Sequence, residues 1–431
     1  MPLVVVPGTL WRSGESVGFR RRGRPLRRGR LIVQVIVGFL RIVSERGLAF
    51  GRLMWQVAPG SCRRAVGTVT VEADGTGGAG EAGIMTMARA EDWRGRGGYF
   101  SWRPAAGDAV PVEVFHVELG DPGAAVLLLI HGWPTSSIDW SGVAGPLSAR
   151  FRVCALDFPG YGFSGKPHGW GYSLRRDAEL IEFYLAEVIG AGSAVIVAHD
   201  RGDSVALAHA ARCAQGRPAT RLEHLVLSNG NIFLPLANLT QAQQRILDAD
   251  SGPQIAAALT PAALAAGLGA ATFTPPRRPG DPEVEALTAT FAHDNGINVL
   301  HETIQYLAER AADEQRWLRT LAGAPFPVTV IWGLNDTVSP PRVASYVWNQ
   351  YLMLKPGGNR LYFIPDANHY LQADRPDAFI NVLRHALEPP GSQGPGALGP
   401  EPGAPLLVDT SRERLPAAAD LLRAEDPAST S

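Results

Sequence analysis

The feature that most constrains this 431-residue chain is an apolar run that ends in a short polar turn and continues as a helical pattern. Residues 194–199 read Ala-Val-Ile-Val-Ala-His and lead directly into Asp200, Arg201 and Gly202. A sharp turn from a strand into a helix brings backbone close to backbone, so it needs small residues two positions before and two after its apex. Ala198 and Gly202 meet that requirement, which predicts a nucleophile elbow with Asp200 as the nucleophile.

A carboxylate that attacks carbon forms an ester, and water activated by a base must then hydrolyse that ester. Two later apolar runs end in candidates for this base and for the acid that orients it. Residues 327–332 lead into a turn that holds Asp336, and residues 361–364 lead into a turn that ends at His369. Active-site residues on a parallel sheet lie beyond the carboxyl ends of its strands. We therefore predict a catalytic triad of Asp200, Asp336 and His369.

A further apolar run, residues 126–130, ends in the turn His-Gly-Trp-Pro. Chemistry at a carbonyl or carboxyl carbon needs backbone N–H donors for the negative charge that develops on oxygen. We expect these oxyanion donors to be the N–H of Trp133 in this turn and the N–H of Arg201, directly after the predicted nucleophile.

Other interpretations of the acidic positions remain open at this stage. Asp200 could be a helix N-cap, since Asp is common there. Ser204 fits a loose small-x-Ser-x-small pattern, but it would lie inside the helix. Asp366 and Asp374 compete with Asp336, although only Asp336 directly follows a strand.

Three histidines surround the predicted pocket. His131 and His199 are candidate substrate contacts, and hydrogen bonding to the backbone is the alternative explanation of both; His369 could also be structural. These histidines are scattered and have no carboxylate or thiolate cluster beside them, so we predict no metal site and no cofactor.

Six motifs in the middle of the chain resemble a known family. Three resemble the epoxide hydrolase and haloalkane dehalogenase branch of the α/β hydrolases: His-Gly-Trp-Pro at 131–134, Asp-Phe-Pro-Gly-Tyr-Gly-Phe-Ser at 157–164 and His-Asp-Arg-Gly at 199–202. Three resemble, more closely, the mesoderm-specific transcript proteins of that branch: Pro-Thr-Ser-Ser-Ile-Asp-Trp at 134–140, Gly-Asp-Ser-Val-Ala at 202–206 and Leu-Ser-Asn-Gly-Asn-Ile-Phe at 227–233. The resemblance departs at Arg201, where that family has Tyr.

The resemblance implies an α/β-hydrolase fold, and the alternation of strand and helix patterns also predicts a mostly parallel, doubly covered sheet. We expect the first part of the core at residues 97–234, a helical cap at 235–322, inserted before the strand that carries the acid, and the second part of the core at 323–388. The Gly-rich turn at 157–164 is given a packing role.

Within the cap, residues 298–321 are predicted to form one or two helices. Their apolar face would consist of Leu300, Ile304, Leu307 and Ala311. Tyr306 lies off that face and is the only tyrosine of the predicted cap. Epoxide hydrolases use cap tyrosines, usually two, as hydrogen-bond donors to the epoxide oxygen, so the resemblance makes Tyr306 a substrate contact.

These observations favour hydrolysis of a small apolar epoxide through a covalent ester, with water as the second reactant. Hydrolysis of an organohalide by the same route is the alternative. Haloalkane dehalogenases typically hold the halide with two aromatic N–H groups, and Trp133 offers at most one; a haloacid enzyme would have a second arginine where Ser204 stands. A catalytically idle fold that binds a ligand is a third interpretation, and the complete triad argues against it.

The two ends differ from the middle of the chain. In residues 1–90 an arginine-rich stretch precedes the apolar run 31–43, which is too short and too charged to predict a membrane span. A signal-like or interfacial helix, and hence membrane contact through the N-terminus, is one interpretation; we prefer a disordered or spurious leader, with the functional protein starting near Met85 or Met87. Residues 389–431 are rich in Pro, Gly and Ala and predict a disordered tail.

Composition narrows the class of protein. The net charge of −1 is too close to neutral for a nucleic-acid binder. The three cysteines, Cys62, Cys154 and Cys213, are irregularly spaced and predict neither a disulfide framework nor a zinc motif. We therefore expect a reducing, cytoplasmic location.

Overall fold

The computed structural model describes residues 89–105, 110–216, 218–388 and 404–409 and, between residues 3 and 69, the backbone of short strands. Internal contacts divide the chain into two units, Met1–Ala79 and Gly80–Ser431.

The described part of the first unit consists of short antiparallel pairs. Ile32–Ile36 pairs with Phe39–Ser44, which pairs in turn with Gly47–Arg52. Shorter pairs join Leu3–Val5 to Gly67–Val69 and Arg20–Arg21 to Arg24–Pro25. Ile32–Ile36 and Phe39–Ser44 lie in the apolar run for which an interfacial helix was one interpretation, and they are strands, which also differ from the predicted disordered leader. The β-branched Ile and Val residues of the run 31–43 favour strands, because helices restrict their side chains.

The second unit is built on a nine-stranded sheet. In chain order the strands are β1 (Gly97–Trp102), β2 (Val112–Leu119), β3 (Val126–Ile130), β4 (Arg152–Leu156), β5 (Ser193–His199), β6 (Arg221–Ser228), β7 (Val328–Gly333), β8 (Arg360–Ile364) and β9 (Leu406–Asp409). Their order across the sheet is β9-β8-β7-β6-β5-β3-β4-β2-β1. Strands β3 to β8 are parallel, whereas β1, β2 and β9 run antiparallel to their neighbours. The mostly parallel sheet that the sequence predicts is confirmed.

Helices cover both faces of this sheet. They are α1 (Ser141–Ser148), α2 (Leu174–Phe183), α3 (Arg201–Gln215), α10 (Pro341–Val347), α11 (Leu371–Asp374) and α12 (Pro376–Leu387); π turns, Tyr184–Val188 and Trp348–Leu352, follow α2 and α10. Alternate side chains of β3 enter two different cores, Leu128 and Ile130 on one face and Leu127 and Leu129 on the other. Burial on both faces explains why the parallel strands read as continuous apolar runs.

Six α-helices lie between β6 and β7, and we call residues 241–323 the helical insertion. They are α4 (Gln241–Leu247), α5 (Gly252–Ala258), α6 (Pro261–Thr272), α7 (Pro282–Ala292), α8 (Leu300–Thr303) and α9 (Tyr306–Gly323). Of the predicted apolar face, Leu300, Ile304 and Leu307 are buried, but Ala311 is exposed. The break between α8 and α9 is the reason, because it turns Tyr306 and Arg310 inward instead.

Two parts of the second unit differ from the sequence-based boundaries. Residues 89–95 are helical, and Ala90 and Trp93 in this helix are buried, so the core begins before residue 97. Within the predicted disordered tail, β9 pairs with β8. Residues 389–403 and 410–431 of that tail lie outside the described residues.

No single helix in the described ranges is long and apolar enough to cross a membrane. The helices α5 and α6 reach that length and composition only as a pair, and they are bent by 99° to each other.

Candidate active site

The elbow between β5 and α3 places Asp200 at the centre of the sheet. Asp200 has φ 52° and ψ −117°, a positive φ that side chains rarely adopt outside strained turns. A Cβ on Gly202 would lie 2.8 Å from the carbonyl oxygens of Ile130 and His131, and one on Gly132 would lie 2.7 Å from the Asp200 Cβ. The turn therefore requires these glycines, whereas the alternative nucleophile Ser204 lies inside α3.

Asp200, His369 and Asp336 form a row of buried side chains. His369 Nε2 lies 3.8 Å from Asp200 Oδ1, and His369 Nδ1 lies 3.2 Å from Asp336 Oδ2. Asp336 Oδ1 accepts hydrogen bonds from the N–H groups of Val338 and Ser339, at 2.8 and 2.9 Å. The turn after β7 thus holds the acid, which holds the imidazole with its other nitrogen toward Asp200.

The rival acids lie elsewhere. Asp366 is exposed and pairs with Arg375 at 3.6 Å. Asp374 accepts hydrogen bonds from the N–H groups of Thr274 and Asn368, at 2.9 and 2.8 Å.

Burial and neighbouring charges shift the pKa values of Asp200 and His369. Burial raises the pKa of Asp200 above its ordinary value, and His369 and the N–H groups of Trp133 and Arg201 partly offset that effect. Burial alone would lower the pKa of His369, but the carboxylates of Asp336 and Asp200 outweigh it and raise the pKa to about 9. Near neutral pH His369 is therefore protonated.

The carboxylate of Asp200 also accepts hydrogen bonds from backbone N–H groups. Asp200 Oδ2 accepts a hydrogen bond from the Trp133 N–H at 2.9 Å. The Arg201 N–H also stabilises the charged carboxylate. Oδ2 of Asp200 is thus held by a backbone donor, while Oδ1 faces the imidazole.

The structure gives His131 and His199 backbone roles in place of the predicted substrate contacts. His131 Nδ1 lies 2.8 Å from the Gly132 carbonyl oxygen, and His131 Nε2 accepts from the Phe158 N–H at 3.1 Å. His199 Nε2 lies 2.8 Å from the carbonyl oxygen of His369. Burial lowers the pKa of His131 to about 3 and that of His199 well below its ordinary value, so both rings are neutral.

The Arg201 side chain is a feature that the sequence did not reveal. Its guanidinium is buried, forms an ion pair with Asp177, and lies over the rings of Phe158, Tyr161 and Tyr306. These four partners come from distant segments of the chain, so no local pattern signals the cluster. Only the basic residue beside the predicted nucleophile hinted at it.

The helical insertion contacts Trp133, whose backbone N–H binds Asp200. Trp133 Nε1 donates to Thr303 Oγ1 at 3.2 Å, which joins the turn after β3 to α8. Tyr306 is 3% exposed, and its hydroxyl has no hydrogen-bond partner. Burial raises the pKa of Tyr306 well above its ordinary value, and the negative charge of Asp200 adds to that effect.

Asp139 is a second residue that the sequence analysis did not single out. It accepts a hydrogen bond from the Thr135 hydroxyl and lines a narrow cleft with Tyr370 and Phe273. Burial raises the pKa of Asp139 to about 8, and its charge interacts with those of His369 and Asp200. Its position in the 134–140 motif was the available signal.

The family follows from the match of this fold and chain to known proteins. Residues 125–376 match the family model of the alpha/beta hydrolase fold. The chain belongs to the α/β-hydrolase fold family. It is 32% identical to the LipZ hydrolase of Mycobacterium tuberculosis, over 70% of this chain and 99% of that protein.

Two further relatives connect this α/β hydrolase to the families that its motifs resemble. It is 29% identical to the mesoderm-specific transcript homolog protein of Homo sapiens, over 67% of this chain and 85% of that protein. It is 26% identical to haloalkane dehalogenase 2 of Mycobacterium tuberculosis, over 60% of this chain and 86% of that protein. The family resemblance seen in the sequence is confirmed. In the described part of this hydrolase, no group of three or more His, Cys, Asp or Glu side chains could hold a metal ion.

Proposed function

We propose that this hydrolase opens a small epoxide through a covalent ester on Asp200. The observation that carries the proposal is that the two Asp200 oxygens have different partners. Oδ2 accepts from the Trp133 N–H, whereas Oδ1 faces the His369 imidazole, which Asp336 orients. A carboxylate held in this way can attack with Oδ1 while backbone donors stabilise charge on Oδ2.

In the first half of the reaction, Oδ1 bonds to an epoxide carbon and the carbon–oxygen bond of the ring breaks. The ring oxygen keeps the electron pair and takes a proton from the Tyr306 hydroxyl, which is buried without a hydrogen-bond partner. The products of this step are an alkyl ester on Asp200 and a phenolate.

In the second half, the ester has removed the charge of Asp200, so His369 releases its resting proton to solvent. Neutral His369 then takes a proton from water, and the resulting hydroxide attacks the Asp200 carboxyl carbon. The N–H groups of Trp133 and Arg201 stabilise the oxyanion on Oδ2. The ester bond then breaks, and the departing diol oxygen takes the proton from His369. The second proton of the water remains on the Asp200 carboxyl and returns to the phenolate. His369 regains a proton from solvent once the Asp200 carboxylate is restored.

Carbon–halogen hydrolysis by the same route is the second candidate, and the similarity to haloalkane dehalogenase 2 favours it. In that reaction a halide leaves and needs N–H donors. The Trp133 indole N–H already donates to Thr303 Oγ1, so it is less suited to this task than the Tyr306 hydroxyl is to an epoxide oxygen.

The test is a panel of epoxides and haloalkanes with the diol and the released halide both measured. We expect Asp200→Ala to abolish turnover and His369→Gln to trap an alkyl ester, seen as a mass increase on the Asp200 peptide. Ser204→Ala is the matched control, because Ser204 is buried one turn along the same helix. Loss of activity in Ser204→Ala with full activity in Asp200→Ala overturns the proposal, and halide release without epoxide opening selects the second candidate.

A further inference from the structure

A narrow cleft beside the triad reaches the surface between the core and the helical insertion. Its outer end is lined by Arg89 and Glu283, whose side chains are 29% and 22% exposed, and its inner end by Asp139, Tyr370 and Phe273. The cleft has about 20 Å³ of free volume, which is enough for one water molecule. Asp139 is half-buried, whereas the three residues of the triad are buried, so solvent meets a carboxyl here before it meets the catalytic row.

The ring of Tyr370 separates this cleft from His369. It packs edge-on against the His369 imidazole, with ring centroids 5.2 Å apart, and it stacks on Phe273 at 4.8 Å. The Thr135 hydroxyl donates to Asp139 Oδ2 and also interacts with the Tyr370 hydroxyl. Burial raises the pKa of Tyr370 well above its ordinary value, so this hydroxyl keeps its proton and the Asp139 carboxyl is the group that can exchange one.

Asp139 and His369 also interact through their charges. Asp139 is the third carboxyl, after Asp336 and Asp200, whose charge raises the pKa of His369. The pKa of Asp139, about 8, is close to that of His369, about 9. The charge of Asp200 raises both values, so its loss in an ester lowers both. A proton passes readily in either direction between groups of similar pKa, because neither holds it much more tightly than the other.

The remaining groups around Asp139 leave this balance in place. Burial is the main reason for its raised pKa; the Thr135 hydrogen bond opposes that effect, and the charge of Asp157 adds to it. At the outer end of the cleft, Arg89 and Glu283 pair with each other at 3.1 Å. Their charges compensate each other, so the protonation of Asp139 follows the state of the catalytic row.

The proposed reaction requires His369 to lose and regain one proton in each turnover. The imidazole is buried, with Nδ1 held 3.2 Å from Asp336 Oδ2 and Nε2 facing Asp200 Oδ1 at 3.8 Å. Once Asp200 carries the alkyl ester, the substrate group fills the space in front of Nε2. The proton on Nε2 then needs a route to solvent that does not pass through the substrate.

We infer that Asp139 is the relay through which His369 exchanges its proton with solvent, and the inference rests on the proposed function, because ester formation creates the need for this exchange. After the ester forms, Asp139 releases its own proton to water in the cleft. The Nε2–H bond of His369 then breaks, and its proton passes through water to Asp139 Oδ1, since Thr135 occupies Oδ2. Asp139 gives this proton to the cleft in turn. The steps run in reverse when the Asp200 carboxylate is restored. Asp139 thus acts through His369 and does not contact the reacting atoms.

The first measurement uses the resting protein and no substrate. NMR of the full chain with isotope-labelled histidine gives the rate at which the Nε2–H of His369 exchanges with water. We expect Asp139→Asn, which keeps the shape of the side chain, to slow this exchange about tenfold to a hundredfold in dilute buffer. Asp139→Ala leaves room for a small carboxylate, so added formate should restore its exchange rate and saturate.

The second measurement follows the ester in a single turnover, by rapid quench and mass analysis. We expect Asp139→Asn to form the ester at the parental rate and to hydrolyse it about tenfold to a hundredfold more slowly, with formate rescue again in Asp139→Ala. Asp366→Asn is the matched control, because Asp366 lies three residues before His369 but is exposed and pairs with Arg375 at 3.6 Å. It should keep the parental rates of exchange and hydrolysis.

These outcomes separate the relay from a structural role and from the proposed function. A structural role of Asp139 would slow ester formation as well, lower the melting temperature of Asp139→Asn and give no formate rescue, which contradicts the inference. Parental exchange and parental hydrolysis in Asp139→Asn also overturn the inference and leave the proposed function intact. A parent protein that forms no ester on Asp200 overturns the proposed function, whereas the exchange rate of resting His369 still decides the role of Asp139.

Discussion

At the level of single residues, the protonation of His369 depends on the carboxylates on either side of it. Asp336 and Asp200 raise the pKa of His369 from 6.5 to about 9, against the opposing effect of burial. A protonated imidazole cannot accept a proton from water. In the proposed reaction, ester formation would remove the charge of Asp200, so the same step that creates the ester would lower the pKa of the base that must hydrolyse it.

The first prediction follows from this coupling. We expect ester hydrolysis, measured after a pH jump on preformed alkyl-enzyme, to accelerate with rising pH and to level off below the resting pKa of about 9. The stability that protonated His369 contributes should be complete below pH 6.5 and lost as pH rises toward 9, so His369→Gln should flatten that part of the stability profile. Asp139→Asn is the control, because the Asp139 carboxyl interacts with His369 and its pKa of about 8 lies in the same range. A hydrolysis rate that falls across this range contradicts the prediction.

At the level of elements, one residue joins the core to the helical insertion. The backbone N–H of Trp133 binds Asp200 Oδ2, and its indole N–H binds Thr303 Oγ1 in α8. The turn after β3 therefore positions a donor for the carboxylate and also holds the helices above it.

The second prediction is a double-mutant cycle on this contact. Thr303→Val should lower the free energy of unfolding by about 1–3 kcal/mol, because it leaves a buried indole N–H without an acceptor. Trp133→Phe removes the donor, so the double variant should lose less than the sum of the two single variants. Urea denaturation measures all four proteins. Strictly additive losses would show that the hydrogen bond carries no coupling energy.

Comparison of sequence and structure shows which elements local patterns can reveal. The runs that became β3, β5 and β7 were evident because both faces of these strands are buried. Strand β9 lies in a segment rich in Pro and Gly and forms because β8 offers it an edge, which is a tertiary effect. The positions of Asp200, Asp336 and His369 followed from strand ends, whereas the aromatic surroundings of the Arg201 side chain depend on packing between distant segments.

At the level of the whole molecule, the second unit requires residues before position 97, where the sequence-based boundary placed the start of the core. Trp93 is 3% exposed, and its indole N–H donates to Ser137 Oγ at 3.0 Å. Arg89 pairs with Glu283 of the helical insertion at 3.1 Å. The boundary of the functional core thus lies before these two residues.

The third prediction compares two shortened chains. A chain that begins at Met87 should keep the melting temperature and activity of the parent. A chain that begins at Gly97 should lose about 3–5 kcal/mol, because removal of Trp93 leaves a cavity in the core. Calorimetry and the single-turnover assay measure both. Unfolding of the chain that begins at Met87 would place essential contacts in the first unit.

The edge strands of the sheet in the second unit are β1 and β9, so residues near both ends of the unit form its two edges. An uncovered margin of a sheet can template pairing with another chain and promote aggregation. β8 would present such a margin to solvent if the chain stopped at Glu388, where composition suggests that order ends. Shortening the Pro- and Gly-rich tail to help crystallisation would thus remove the four residues that protect the sheet from self-association.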